Sequence, residues 1–393
     1  MINHSRKWLK INSSVKLITR YARRHCRNCT CNICSRLQIF HDTRRAAGLL
    51  GYPVRAMGDL PPVSVLMSVR DGVATIDAAL ASLERQGFAD FEVVVVNDGS
   101  IDGTGAVLDH WALRDARFRV VHIARSGLIE ALNVGLALCR APLIARMDAD
   151  DICHPRRLEF QVAVLNQRPE VGVVSCLVRH FPRLGLQQGT VLYEDWLNRL
   201  KNHQEMRREC FVESPVAHPS VIVRRTLLDK VGGYRDMGWA EDYDLWLRLF
   251  ERDVVFAKVE RSLLFWRQHP NRLTRRDERY SIDNFLRAKA HFLSRGPLAA
   301  RGPIVLWGSG PTGRKMSRFL RVNGVTIEAV VDIDPRRIGS TLHGAPIIAP
   351  PDLPRMLPAV VLATVGSRGA RQIIRSQLLN LGLKEGYDFW CVA

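Results

Sequence analysis

From Pro61 onward, short apolar runs alternate with stretches whose apolar residues recur at helical spacing. Val63-Ser64-Val65-Leu66-Met67 predicts a buried strand. Ile76, Leu80 and Leu83 then share one helix face, and Gln86-Gly87 ends that helix. Phe91–Val96 is a β-branched run that leads into Asn97-Asp98-Gly99-Ser100. A helix over 103–114, a strand over 118–122, a helix from Gly127 to Leu138 and a strand over 142–147 complete the first half. Strands alternating with helices predict an α/β fold with a mostly parallel, doubly wound sheet, and ligand groups beyond the strand carboxyl ends.

The pattern continues with a helix carrying Leu158, Val162 and Leu165 in phase, then a strand over 171–174. Periodicity is weak over 180–215, which stays mostly unassigned. Val221-Ile222-Val223 reads as a strand, and Trp239–Arg248 as the start of a helix. A polar, basic stretch leads to a second αβ pattern, in which Pro303–Trp307 precedes a glycine-rich turn, a helix and the strand 327–332. The expected organisation is therefore an arm (1–56), a catalytic domain (61–275), a linker (276–301) and a smaller Rossmann-like domain (302–393).

The length of 393 residues suits two domains. The net charge of +18 suggests nucleic acid until it is located. Residues 1–56 carry twelve Lys/Arg against the single acid Asp42, so most of the excess belongs to the arm. That places no nucleic acid among the expected partners and points instead to peripheral contact with an anionic membrane. No run reaches the ~20 apolar residues of a membrane span, and the N-terminus lacks the apolar centre of a signal peptide. The expected location is cytoplasmic, including the inner face of the membrane. Cys139, Cys153, Cys176, Cys210 and Cys391 are scattered, as reduced packed thiols are. Cys26-x-x-Cys29-x-Cys31-x-x-Cys34 has ligand pairs for zinc, but one residue between the pairs leaves little chain to wrap an ion. The arm also reads as poorly ordered, or as preceding a true start at Met57.

The candidate chemistry lies at strand ends. Arg146-Met147-Asp148-Ala149-Asp150-Asp151 puts three carboxylates in four positions, which suits a hard divalent cation and, through it, a phosphorylated substrate; an acidic turn is the plainer reading. Asp98 ends the earlier strand that starts at Phe91, as a nucleotide contact or as a simple Asp-Gly turn. Glu241 and Asp242 open a helix, where the dipole favours ionised acids, as a general base or as capping residues.

Val63–Met67, Asn97–Ser100, Arg146–Asp151, Gly232-Gly233-Tyr234 and Glu241–Arg248 occur in the order and spacing of glycosyltransferase family 2, which the chain resembles over about residues 61–270. The resemblance implies a GT-A fold, a nucleotide-sugar donor (a UDP-sugar is expected), Mn²⁺ or Mg²⁺, and inversion at the anomeric carbon. It implies a glycan or lipid-linked acceptor in surface polysaccharide biosynthesis. By position it makes Asp242 the base with Glu241 beside it, and Asp98, Ser68 and Asp148 donor contacts. Asp150 and Asp148 become metal ligands and Asp151 an auxiliary acid. Arg146 either faces the phosphates or braces the acids. His218, in Ala217-His218-Pro219-Ser220, would line the acceptor pocket. His269 would complete the metal or diphosphate site. The family's first strand runs into Pro-x-Tyr-Asn, whereas this chain has Ser68-Val69-Arg70-Asp71, so the tyrosine that contacts the base is missing.

Gly308-x-Gly310-x-x-Gly313 follows a strand and opens a helix, with Asp332 ending the next strand. That context suits NAD or another nucleotide. It raises a second enzyme class, a nucleotide-sugar oxidoreductase, although no hydride-transfer residue stands out.

Overall fold

The computed structural model describes residues 60–270 and 272–393; the basic arm and its cysteine cluster lie outside them. The first sheet holds β1 (Val63–Val69), β2 (Phe91–Asp98), β3 (Phe118–Ile123), β4 (Leu143–Arg146), β5 (Ile152–Cys153), β6 (Val171–Phe181), β7 (Ile222–Arg224) and β8 (Val255–Arg267). Their order is β3-β2-β1-β4-β7-β6-β8-β5. β1 and β2 are buried along their whole length because helices cover both faces, which is why they read as unbroken apolar runs.

The sheet is α/β as expected, but mixed rather than mostly parallel. β1 to β4 pair in parallel. β7 then runs antiparallel to both β4 and β6, and β5 antiparallel to β8. Apolar runs encode burial and carry no direction, so the reversal at β7 was not legible in them. β8 escaped notice because Lys258, Glu260, Arg261 and Ser262 interrupt its apolar residues. Two helices, Gln188–Arg199 and His203–Glu209, fill the weakly patterned 180–215 region.

A second sheet holds β9 (Ile304–Trp307), β10 (Ala329–Val331), β11 (Thr341–Leu342), β12 (Ala345–Ile348), β13 (Val360–Ala363) and β14 (Phe389–Cys391), ordered β11-β12-β10-β9-β13-β14. The stretch expected to act as a linker holds the helix Ile282–Arg295, with Leu286, Ala290, Phe292 and Leu293 buried. One continuous apolar cluster runs from Leu66 and Val94 through Trp246 and Phe292 to Leu306 and Leu362, so the two sheets share a core. The five described cysteines are free, buried thiols, as expected. No described helix is long and apolar enough to cross a membrane.

Candidate active site

The Gly-Gly-Tyr and Glu-Asp-x-Asp segments are clasped to each other. Asp244, fully buried, accepts from Arg248 Nε (2.6 Å), from Arg235 and from Trp239 Nε1. Arg248 in turn donates to the carbonyls of Val231 and Gly233 (both 2.8 Å). Gly232 and Gly233 adopt φ of 76° and 66°, the left-handed region that glycine tolerates best. Tyr234 then reaches His218, its hydroxyl 2.9 Å from Nε2. This clasp fixes the start of the helix Glu241–Phe250, where Glu241 and Asp242 project from the first turn.

Glu241 is buried; Tyr280 donates to both of its oxygens (3.0 and 2.8 Å), and His218 Nδ1 lies 3.7 Å away. Burial raises the Glu241 carboxyl. Asp242 accepts from its neighbour's amide, Tyr243 N (2.7 Å). Burial, and after it the charge of Glu241, push Asp242 up to about 8. Burial and the charge of Arg146 hold His218 well below its ordinary range.

The chain leaves β4 into the acidic stretch and turns back through β5. Oxygens of Asp148, Asp150 and Asp151 all lie within 4.8 Å of one another. Arg146 bonds Asp148, and its Nε is left without a hydrogen-bond partner. His269 Nε2 is 2.8 Å from Asp150 Oδ2. Asp151 accepts from Arg267 N (2.8 Å), while its buried Oδ2 has no partner. Burial raises Asp148 and Asp151, and the neighbouring carboxylates push both further. Crowded hard oxygens, one of them orphaned, beside a histidine form a donor set that a divalent cation fits.

Ser68, Arg146, Asp148, Asp150, His218, Glu241 and Asp242 line one cavity of about 210 Å³. Asp98 does not line it. Its carboxylate accepts from Ser126 N (2.6 Å), Ser126 Oγ and Gly127 N (2.9 Å), which pins the loop before the helix Leu128–Leu138. Asp151 and His269 stand behind the lining, reaching it through Asp150. Several lining residues were not foreseen: Tyr193, Glu213, Trp266, Arg272 and Tyr280. Arg272 lies over the Trp266 ring at 4.6 Å. Burial raises Glu213, while Lys289 opposes it. Tyr193 and Glu213 come from the weakly patterned region, Trp266 from the end of β8, and Arg272 and Tyr280 from beyond it.

In the second sheet, a Cβ on Gly313 would sit 1.8 Å from Gly308 O, so helix and turn pack at a distance only glycine allows. Asp332, however, accepts from Ser309 N (2.8 Å), from the Ser309 hydroxyl and from Arg337. Burial alone would raise it, but the bonds from Ser309, the Asp334 amide and Arg337 hold it near 2. The acid expected to meet a ribose is engaged by Ser309 of the glycine-rich turn and by Arg337.

Residues 64–232 match the Glycosyl transferase family 2 domain. The amylovoran biosynthesis glycosyltransferase AmsE of Erwinia amylovora is 32% identical over 205 residues, covering 51% of this chain and 74% of that protein. The O-antigen biosynthesis glycosyltransferase WbnJ of Escherichia coli is 28% identical over 249 residues, covering 60% and 94%. The UDP-Gal:alpha-D-GlcNAc-diphosphoundecaprenol beta-1,3-galactosyltransferase of Escherichia coli is 28% identical over 239 residues, covering 60% and 84%. The mixed α/β sheet and its acidic strand ends are consistent with the GT-A fold. On these matches the protein is a glycosyltransferase, and the chain belongs to glycosyltransferase family 2.

Proposed function

We propose that the enzyme moves a sugar, with inversion, from a UDP-sugar to a hydroxyl of a lipid-linked glycan during surface polysaccharide assembly. One observation carries this reading: Asp242 lines a single cavity with Asp148 and Asp150 of the acidic cluster. The names of the three relatives support the pathway, and that of the galactosyltransferase supports both the uridine donor and the diphosphoundecaprenol-linked acceptor.

Asp242 takes the proton of the acceptor hydroxyl as that oxygen attacks the anomeric carbon, and the bond from that carbon to the nucleoside diphosphate breaks on the opposite side. Glu241, held by Tyr280, keeps Asp242 basic enough for this task. Asp148 and Asp150, backed by Asp151 and His269, would hold a divalent cation. Such an ion supplies Lewis-acid neutralisation of the departing diphosphate. Arg146 braces Asp148 and adds a second positive charge there. Ser68 lies at the donor end, and Asp98 shapes the loop that borders it. His218 and Glu213 lie among the groups available to sugar hydroxyls, with Tyr193 and Trp266 as apolar walls. Residues 61–275 would form the catalytic domain and 302–393 a Rossmann-like domain. The basic arm would hold the enzyme at the cytoplasmic face of an anionic membrane.

Nucleotide release from UDP-, GDP- and dTDP-sugars, with Mn²⁺ and a diphosphoundecaprenol-linked acceptor, tests the reading. UDP-sugars should support release, and Asp150→Ala and Asp242→Asn should each reduce it at least about a hundredfold. Undiminished transfer by either variant would remove the site assignment.

A further inference from the structure

The second sheet borders a cavity that the transfer chemistry does not use. Its chain winds outward from β9 to β10 and β12, then crosses back to β13 and β14. Winding therefore reverses between β9 and β13, and loops leaving the carboxyl ends of two such strands diverge to leave a crevice. Beyond β13 lies a cavity of about 530 Å³. Val365–Gly369 and the start of the helix Ala370–Asn380 wall one side; Trp196, Arg199 and Glu209 from the first sheet's helices wall the other. That volume suits a small-molecule site.

The lining is cationic. Arg199, Arg208, Arg368, Arg371 and Arg375 face it, against Glu205 and Glu209. Glu205 already accepts from the amides of Lys201 and Asn202. Glu209 is shared by Arg208, Arg371 and Arg375. Arg368 is exposed and enters no ion pair among the described residues. Gly369, at φ 81°, turns the chain into the helix, whose first-turn amides add positive partial charge on the cavity side. Glu209 also points to a ligand with donors of its own: it is 4% exposed, and its Oε2 has no hydrogen-bond partner, only Arg371 Nη1 at 3.7 Å.

We propose that this seam is a second nucleotide site, one that takes a nucleoside diphosphate. The diphosphate lies against Arg368, Arg371 and the helix N-terminus, where cations and amides converge. The ribose hydroxyls face the Glu209 carboxylate, and the base rests on the Trp196 indole. The cavity lies beyond β13, with no lining residue from the turn after β9, and the acid after β10, Asp332, is engaged by Ser309 and Arg337.

Calorimetric titration of the full chain with UDP in EDTA, using Asp150→Ala to weaken the catalytic site, tests this directly. One binding event should persist and weaken at least tenfold with Arg368→Glu, a change at an exposed residue with no ion pair to break. Inorganic pyrophosphate should bind at least fivefold more weakly than UDP, and Trp196→Leu should narrow that gap. Absence of UDP binding, binding unchanged by Arg368→Glu, or pyrophosphate binding as tight as UDP would each overturn the proposal. Failure of the catalytic reading would appear separately, as transfer retained by Asp150→Ala, and leaves the Arg368 comparison intact.

Discussion

At Asp242, function and stability pull in opposite directions. A base must lose its proton to work, yet burial and Glu241 hold this carboxyl at about 8. Its folded-state value lies above the unfolded one, so the folded protein binds the extra proton between about pH 4 and pH 8. Stability from this group is therefore lost as pH rises through that window. Asp242→Asn should be more stable than the parent, with a gain near zero at pH 4 and largest above pH 8, read from urea midpoints across pH. The same change should abolish transfer, and parent kcat/KM should rise with pH to a plateau above about 8. A flat pH profile would show that Asp242 is not the base. The acidic cluster makes a parallel prediction with a readout other than activity. Mn²⁺ should raise the melting temperature of the parent, since a ligand present at ~100-fold its Kd adds about 2.7 kcal/mol. Asp150→Ala should show no such shift.

Among elements, the helix Glu241–Phe250 shows why a motif can be legible while its reasons are not. Glu241 and Asp242 were recognisable from their place at a helix start, but the same ten residues also carry Asp244 and Arg248, which contribute no chemistry. Those two form a buried i,i+4 pair that ties the helix to the carbonyls of Val231 and Gly233. Arg248→Met should cost about 3 kcal/mol in urea unfolding, because it leaves part of a buried carboxylate uncompensated, although Arg235 remains. The strands of the first half were readable because burial on both faces leaves an apolar run. The direction of β7 was not, since pairing partners far apart in sequence decide it. The helix His203–Glu209 was signalled by Asn202-x-x-Glu205, a reciprocal capping box that the structure forms, yet weak apolar periodicity hid it. Asp98 was legible as a strand-end acid. That its oxygens would be taken by Ser126 and Gly127 depends on a loop whose geometry leaves no mark in composition.

Taken whole, residues 61–393 form one compact unit in which the two sheets share a core. The helix Ile282–Arg295 is the reason. Its Leu286, Phe292 and Leu293 join a core that also includes Ile304, Leu306 and Leu320. Lys289 donates to Val212 O (2.8 Å), beside the catalytic cavity, and to Val392 O (3.1 Å), beyond the last strand. Arg375 bridges Glu209 and Glu385 across the same seam (2.7 and 2.8 Å). Removing 302–393 would expose part of that helix's apolar face, at about 1.5–3 kcal/mol for each large side chain. It would also strip Glu209 of Arg371 and Arg375, leaving a buried carboxylate underpaired. Together these losses rival the ~5–15 kcal/mol that holds a typical domain folded. Calorimetry of the full chain should therefore show the two sheets melting in a single transition, and a chain ending at residue 301 should be insoluble or lack a cooperative melt. Two separate transitions, or a stable and active truncated chain, would show that the shared core is too weak to couple them.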